Sequence, residues 1–284
     1  MDQLKTIRRE ARKDLFRLGC AGATYKALNR SFGYTKKAEE KATAPLCGGI
    51  LQKGYQCGMM WGAALAAGTA SYTHYRDTNQ ATTMAMHATR QLMEAFSEQS
   101  RSVDCRGITG CDWTKRWGGI RYFLTGKTFT CLRLLGRWTR EAIDSANKSL
   151  SEEIRHTDPP ALNCASMVIQ KMEGTLEQQV MVAGFAGGIG LSGNACGALG
   201  AAIWMLTLRW QKENPNKGAY QIPEAKKLSQ AFEEMTRGEY LCHRITGKKI
   251  VTIGEHTVYI REGGCKDLIT LLVDSSQKEP SPSP

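Results

Sequence analysis

Cys105-Arg106-Gly107-Ile108-Thr109-Gly110 returns later in the chain as Cys242-His243-Arg244-Ile245-Thr246-Gly247, so the pattern Cys-x-x-Ile-Thr-Gly occurs twice. Upstream of each copy, Ala95, Phe96, Glu98 and Arg101 answer to Ala231, Phe232, Glu234 and Arg237 at the same internal spacing. Self-similarity of this kind marks a repeated structural unit and takes precedence over any local reading.

The repeat extends outward in both directions. Cys20-Ala21 pairs with Cys164-Ala165. The stretch Cys47-Gly48-Gly49-Ile50, with Gly54 and then Cys57-Gly58, pairs with Ala186-Gly187-Gly188-Ile189, with Gly193 and then Cys196-Gly197. Beyond the hexapeptide, Cys131 with Leu134 and Leu135 pairs with Cys265 with Leu268 and Ile269. The paired cysteines are offset by 144, 139, 137 and 134 residues in turn, a drift that small loop insertions accommodate. Cys47 and Cys111 have no cysteine counterparts and read as structural.

Helical periodicity and Ala, Leu, Met, Glu and Lys content predict helices over 3–32, 57–75, 80–102 and 131–148, with the same order in the second copy. Between the third and fourth cysteines, Ile120 to Thr130 and Ile250 to Ile260 are richer in β-branched and aromatic residues around Gly126 and Gly254, which predicts a short β-hairpin or a lid in each copy. Ser149, Ser151, Glu152, Glu153 and the Asp158-Pro159-Pro160 turn break the periodicity and mark a boundary. The expected organisation is therefore mainly α: a first four-cysteine module over 1–150, a second over 151–278, and a disordered Pro- and Ser-rich tail over 279–284. The two modules are expected to pack as a pseudo-twofold pair, as a duplicated and fused homodimer would.

With 284 residues and 42% hydrophobic content, the chain can bury real cores. The net charge of +11 fits an anionic surface or an acidic partner, but no nucleic-acid motif accompanies the basic clusters, so nucleic acid is not expected. The N-terminus lacks the apolar core of a secretory signal, which predicts a cytoplasmic setting. Disulfides are scarce there, so ten cysteines point to metal ligands or catalytic thiols first. From Val180 to Leu208 no charge occurs, long enough for a membrane span, but its glycines favour a buried helix broken by a turn. Membrane contact is thus not favoured. No P-loop, dinucleotide fingerprint or Gly-x-Ser-x-Gly elbow is present.

Four thiolates converging on one point form the donor set of an iron–sulfur cluster, and equally of a structural zinc site. Neither copy contains Cys-x-x-Cys, so the fold must impose the convergence. Cys57 and Cys196 each follow a glycine-containing turn and precede a glycine, which lets backbone amides approach a bulky anionic ligand. The same geometry would serve a reactive thiol. His243 beside Cys242 could act as a ligand or relay, but its counterpart is Arg106.

At these residues the chain resembles the redox proteins called C_GCAxxG_C_C, single modules with a lone cysteine, a Cys-Gly-Ala-x-x-Gly motif and two further cysteines. In the second copy Cys164, then Cys196, Gly197, Ala198, Leu199 and Gly200, then Cys242 and Cys265 follow it, with Ala201 where the last motif glycine would fall. In the first copy Cys20, then Cys57, Gly58, Met59, Met60, Trp61 and Gly62, then Cys105 and Cys131 follow it, with Met59 replacing the motif alanine. A related module in split-Soret cytochromes is associated with a two-iron cluster. The resemblance implies one iron–sulfur cluster per module, of the [2Fe-2S] type, held by Cys20, Cys57, Cys105 and Cys131, or by Cys164, Cys196, Cys242 and Cys265. No Cys-x-x-Cys-His occurs, so covalent haem is not implied. The expected role is electron transfer with a redox partner protein of acidic character, more an electron carrier or redox accessory protein than a self-contained enzyme. The alternatives are a thiol–disulfide oxidoreductase or redox sensor, and a membrane-associated accessory protein of a transporter.

Overall fold

A computed structural model describes residues 2–115, 117–152 and 160–277. The boundary stretch 153–159 and the tail from 278 onward, where the linker and the disordered end were expected, lie outside the described residues.

Among the described residues, the first half holds seven helices: α1 (Asp2–Ser31), α2 (Lys37–Ala42), α3 (Gly58–His74), α4 (Thr78–Gln99), α5 (Cys105–Thr109), α6 (Gly118–Leu124) and α7 (Lys127–Leu150). The second half repeats the order as α8 (Cys164–Lys171), α9 (Leu176–Met181), α10 (Gly197–Glu213), α11 (Pro223–Thr236), α12 (Cys242–Ile245), α13 (Ile253–Arg261) and α14 (Lys266–Gln277). A short 3-10 turn follows α2 at Ala44–Leu46 and α9 at Ala183–Phe185. The four long predicted helices of the first copy correspond to α1, α3, α4 and α7. Helix α1 is broken at Gly19 (φ 71°), so its second half begins at Cys20 just as α8 begins at Cys164.

The expected β-hairpins are not formed: no strand occurs among the described residues, and α6 and α13 occupy those stretches. The cause is local in α13. Thr252 accepts the amide of Glu255 while the Glu255 carboxylate accepts the Thr252 amide, a reciprocal cap that starts a helix despite the β-branched content. Gly254 lies inside this helix and makes no turn.

Helices α3 and α10 are the central elements, buried on all sides from Gly58 to Ser71 and from Gly197 to Leu208. Small residues make this possible, because backbones must approach closely there. A Cβ on Gly68 would lie 2.5 Å from the Met181 carbonyl oxygen. In each half the central helix packs with its neighbours in the same way, α3 with α1 and α4, α10 with α8 and α11. Between halves the packing is reciprocal: α3 meets α9, and α10 meets α2. Trp61 of α3 packs edge-to-face with Phe185 (4.6 Å between centroids, 89°), and Tyr55 stacks on Tyr240 (4.6 Å, 19°). One continuous core therefore runs through both modules, with Trp61, Trp138, Trp204, Phe96 and Phe232 fully buried.

The uncharged run from Val180 to Leu208 breaks, as expected, into the end of α9, a glycine loop and α10. Among the described residues no helix is long and apolar enough to cross a membrane.

Candidate four-cysteine sites

Three of the four cysteines in each module sit where a helix begins. Cys20 and Cys164 open helical segments, Cys57 and Cys196 cap α3 and α10, and Cys105 and Cys242 are the first residues of α5 and α12. A helix start leaves amides without intrahelical partners and carries a partial positive charge, both suited to an anionic sulfur. The fourth position differs: Cys131 lies within the second turn of α7, and Cys265 precedes α14 in the left-handed region (φ 59°).

The second and third cysteines, far apart in sequence, are tied by the same clamp in both modules. The Cys57 amide donates to the Val103 carbonyl at 2.9 Å and the Cys105 amide to the Tyr55 carbonyl at 2.7 Å. Correspondingly, Cys196 donates to Tyr240 at 2.8 Å and Cys242 to Asn194 at 2.6 Å. Each clamp is a single antiparallel bridge, Gln56 with Asp104 and Ala195 with Leu241.

The first cysteine is approached by the glycine loop. Ile50, Leu51 and Gln52 in one module, and Ile189 and Leu191 in the other, have positive φ values alongside their glycines. Side chains seldom adopt this backbone, which costs roughly 1–2 kcal/mol per residue. The loop is closed by Gly54 donating to Gly48 at 2.9 Å and Gly193 to Gly187 at 2.9 Å. The Cys47 thiol and burial raise Cys20, burial raises Cys164, and the Gly48 amide beside Cys20 and the Gly187 amide beside Cys164 partly oppose that rise. Gly188 must lack a side chain, since a Cβ there would lie 2.5 Å from the Asn194 amide nitrogen.

Cys164, Cys196, Cys242 and Cys265 line one cavity, together with Gly197, Thr246, His256 and Tyr259. Its accessible interior is about 10 Å3, roughly the room of one water. In the first module Cys57 feels the charge of Cys20, Cys105 and Cys131, so that set is gathered as well. Among the described residues, no group of three or more His, Cys, Asp or Glu is drawn together tightly enough to hold a metal ion. A single tetrahedral ion would require sulfurs about 3.8 Å apart around one point.

Burial and mutual repulsion push these thiols up. Cys131 is raised to about 11 and Cys265 to about 12, both mainly by burial. Burial likewise raises Cys57, Cys105, Cys164, Cys196 and Cys242. For Cys20 the chief cause is the neighbouring Cys47 thiol, followed by burial. At neutral pH all eight are therefore protonated, unlike the low-pKa thiolates of disulfide-exchange sites.

The sequence did not reveal several residues of the sites. A tyrosine hydroxyl meets the fourth cysteine in each: Tyr122 acts on Cys131, and the Cys265 S–H donates to Tyr259 Oη at 3.9 Å. Tyr220 reaches from the second module to the first site, where it feels Cys47 and Cys20. It is carried by the 214–222 connection, longer than the corresponding connection over 75–77. Cys47 and Cys111 also border the first set, since the Ala21 amide donates to Cys47 Sγ at 3.4 Å and Cys111 acts on Cys131. The first site is thus richer in sulfur than the second. His243 is not among the residues that line the second-module cavity, and its Nδ1 lies 2.7 Å from the Gly193 carbonyl oxygen.

The family described as "Putative redox-active protein (C_GCAxxG_C_C)" matches the chain twice, over residues 18–142 and 162–277. No curated protein and no solved structure matches.

Proposed function

Because the chain belongs to the C_GCAxxG_C_C family of redox-active proteins, in two tandem copies, we propose that it transfers electrons through one iron–sulfur cluster per module. The ligands are Cys20, Cys57, Cys105 and Cys131 in the first, and Cys164, Cys196, Cys242 and Cys265 in the second. The single observation that carries this reading is the shared cavity of the four second-module cysteines, which come from four separate helix ends.

The donor set fits such a group in three respects. Four sulfurs line one space in the second module, and thiolate sulfur is the donor that iron–sulfur clusters take. Amides of Ala198 and Leu199 are aimed at Cys196, and those of Gly187, Ala165 and Ala198 at Cys164. Such N–H donors are a main control of cluster potential. The raised thiols need a cationic centre to become ligands, which makes binding release protons. When bound, the group supplies one-electron redox chemistry. The chain's own residues hold the sulfurs, exclude water and set hydrogen bonds to them: the clamps fix the middle pair, the glycine loops orient the first cysteine, and Tyr122 and Tyr259 address the fourth.

The reciprocal packing of α3 on α9 and α10 on α2 supports a pseudo-twofold arrangement of modules spanning 1–150 and 151–278. The proposed setting is the reducing cytoplasm, with an acidic redox partner matched to the +11 charge. Visible absorbance and electron paramagnetic resonance of anaerobically purified protein test the reading. The expected result is a brown protein with a paramagnetic signal on reduction. Colourless, iron-free protein whose thiols oxidise and reduce reversibly would replace it with thiol–disulfide exchange, for which the Cys20–Cys47 proximity would be the starting point.

A further inference from the structure

We propose that the first module carries a membrane-docking face, formed by α6 and the start of α7, which binds the surface of a bilayer containing anionic lipid. Trp117, Ile120 and Leu124 fall at i, i+3 and i+7, with Phe123 beside Leu124, the spacing of one helical stripe. A helix lying on its own core turns such a stripe inward. Here it faces water: the four residues are 69%, 48%, 81% and 65% exposed in that order, and Phe129 on α7 is 68% exposed. Contiguous apolar exposure of this kind marks an interaction surface.

Charge identifies the occupant. From Trp113 to Arg140 the chain holds Lys115, Arg116, Arg121, Lys127, Arg133, Arg137 and Arg140, and no Asp or Glu. Lys115, Arg121, Arg133 and Arg137 are exposed. Helix α1 lies along α7, its Arg8 Nε donating to the Gly136 carbonyl at 2.7 Å, and brings the exposed Arg12 against the same glycine. Asp112, just before this stretch, is paired with Arg106; protruding Trp, Phe and Leu side chains beside these basic residues complement a layer that is anionic at its headgroups and apolar just beneath.

The second module provides the contrast. Its corresponding helix α13 buries His256, Thr257 and Ile260, and Glu255 and Glu262 lie in and just after it. The exposed large apolar residues in this stretch are Val258 within α13 and Val251 just before it, at 49% and 41%. The face is therefore a property of one module and not of the repeat. Since Tyr122 of α6 contacts Cys131, docking would turn the fourth-cysteine side of the first site toward the bilayer.

The test is cosedimentation of the full chain with vesicles of phosphatidylcholine alone or with one-third phosphatidylglycerol. The expected result is sedimentation with the anionic vesicles only, weakened by added salt. Arg121→Gln and Arg133→Gln should each weaken it about fivefold, and Phe123→Ser with Leu124→Ser by about tenfold or more. Val258→Ser should leave it unchanged. Far-UV circular dichroism and urea transitions check the fold; were the serine pair to unfold the chain, the two arginine variants decide alone. The proposal is overturned if the chain stays in the supernatant with both lipids, or if the variants sediment like the parent. It is also overturned if the face saturably binds an acidic protein while the vesicles are ignored.

Discussion

Replacing Gly58 by Ala places one methyl group inside the first site. The added carbon would lie 2.5 Å from Cys20 Sγ, 3.2 Å from the Cys47 Cα and 3.3 Å from the Ala21 nitrogen. Favourable contacts between heavy atoms begin near 3.5 Å, so Cys20 must retreat by about 1 Å. Gly58 is helical and its φ is not positive, so the backbone itself accepts alanine. Overpacking costs about 1–3 kcal/mol, and at the first position of α3 the interior helix-propensity gain of alanine does little to offset it. A loss of about 1–3 kcal/mol lowers the melting temperature by a few degrees without unfolding the chain. Metal ligation is far less tolerant, since ligand distances hold within about 0.2 Å. Gly58→Ala should therefore halve the iron bound per chain, read by metal analysis of anaerobically purified protein, while circular dichroism stays native. Gly254→Ala, with no atom within 4 Å of the new carbon, is the control and should keep all its iron. Gly58→Ala protein that melts lower yet binds iron like the parent would refute the placement of Cys20 as a ligand.

Three further outcomes are expected. His256 is 2% exposed and burial lowers it from 6.5 to about 4. Its contribution is fully present above pH 6.5 and is lost as pH falls toward 4, by about 3 kcal/mol in all; urea transitions should show that slope, and His256→Gln should flatten it. Without iron, Cys131 at about 11 and Cys265 at about 12 are protonated at pH 7.5. Alkylation of these two should run about a hundredfold or more slower than for a free cysteine, and fast labelling would count against the packed, protonated sites. Tyr259→Phe removes the hydroxyl beside Cys265 and should lower the second site's potential by roughly tens of millivolts while Tyr122→Phe moves only the first; potentiometric titration that finds no shift would show that the hydroxyl leaves the sulfur unaffected.

The duplication and the long helices could be read directly because they rest on local pattern: Cys-x-x-Ile-Thr-Gly twice, and apolar residues at helical spacing. The eight paired cysteines followed from the same repeat. What escaped depended on contacts between distant segments or on capping. Thr252 and Glu255 set a helix where Val251, Val258 and Tyr259 suggested a strand. The left-handed glycine loop left no period to detect. Tyr122, Tyr259 and Tyr220 have no motif, and Tyr220 reaches its site across the module boundary. Cys47 looked structural because its counterpart is Ala186, whereas the fold sets it against Cys20.

Iron and acid-labile sulfide counted per chain in the parent, Cys57→Ser, Cys196→Ser and the double variant test the central claim most directly. Two independent clusters predict equal losses of half in each single variant and complete loss in the double, with native helix content throughout. Parent protein without iron or sulfide, or single variants that lose nothing, would contradict it.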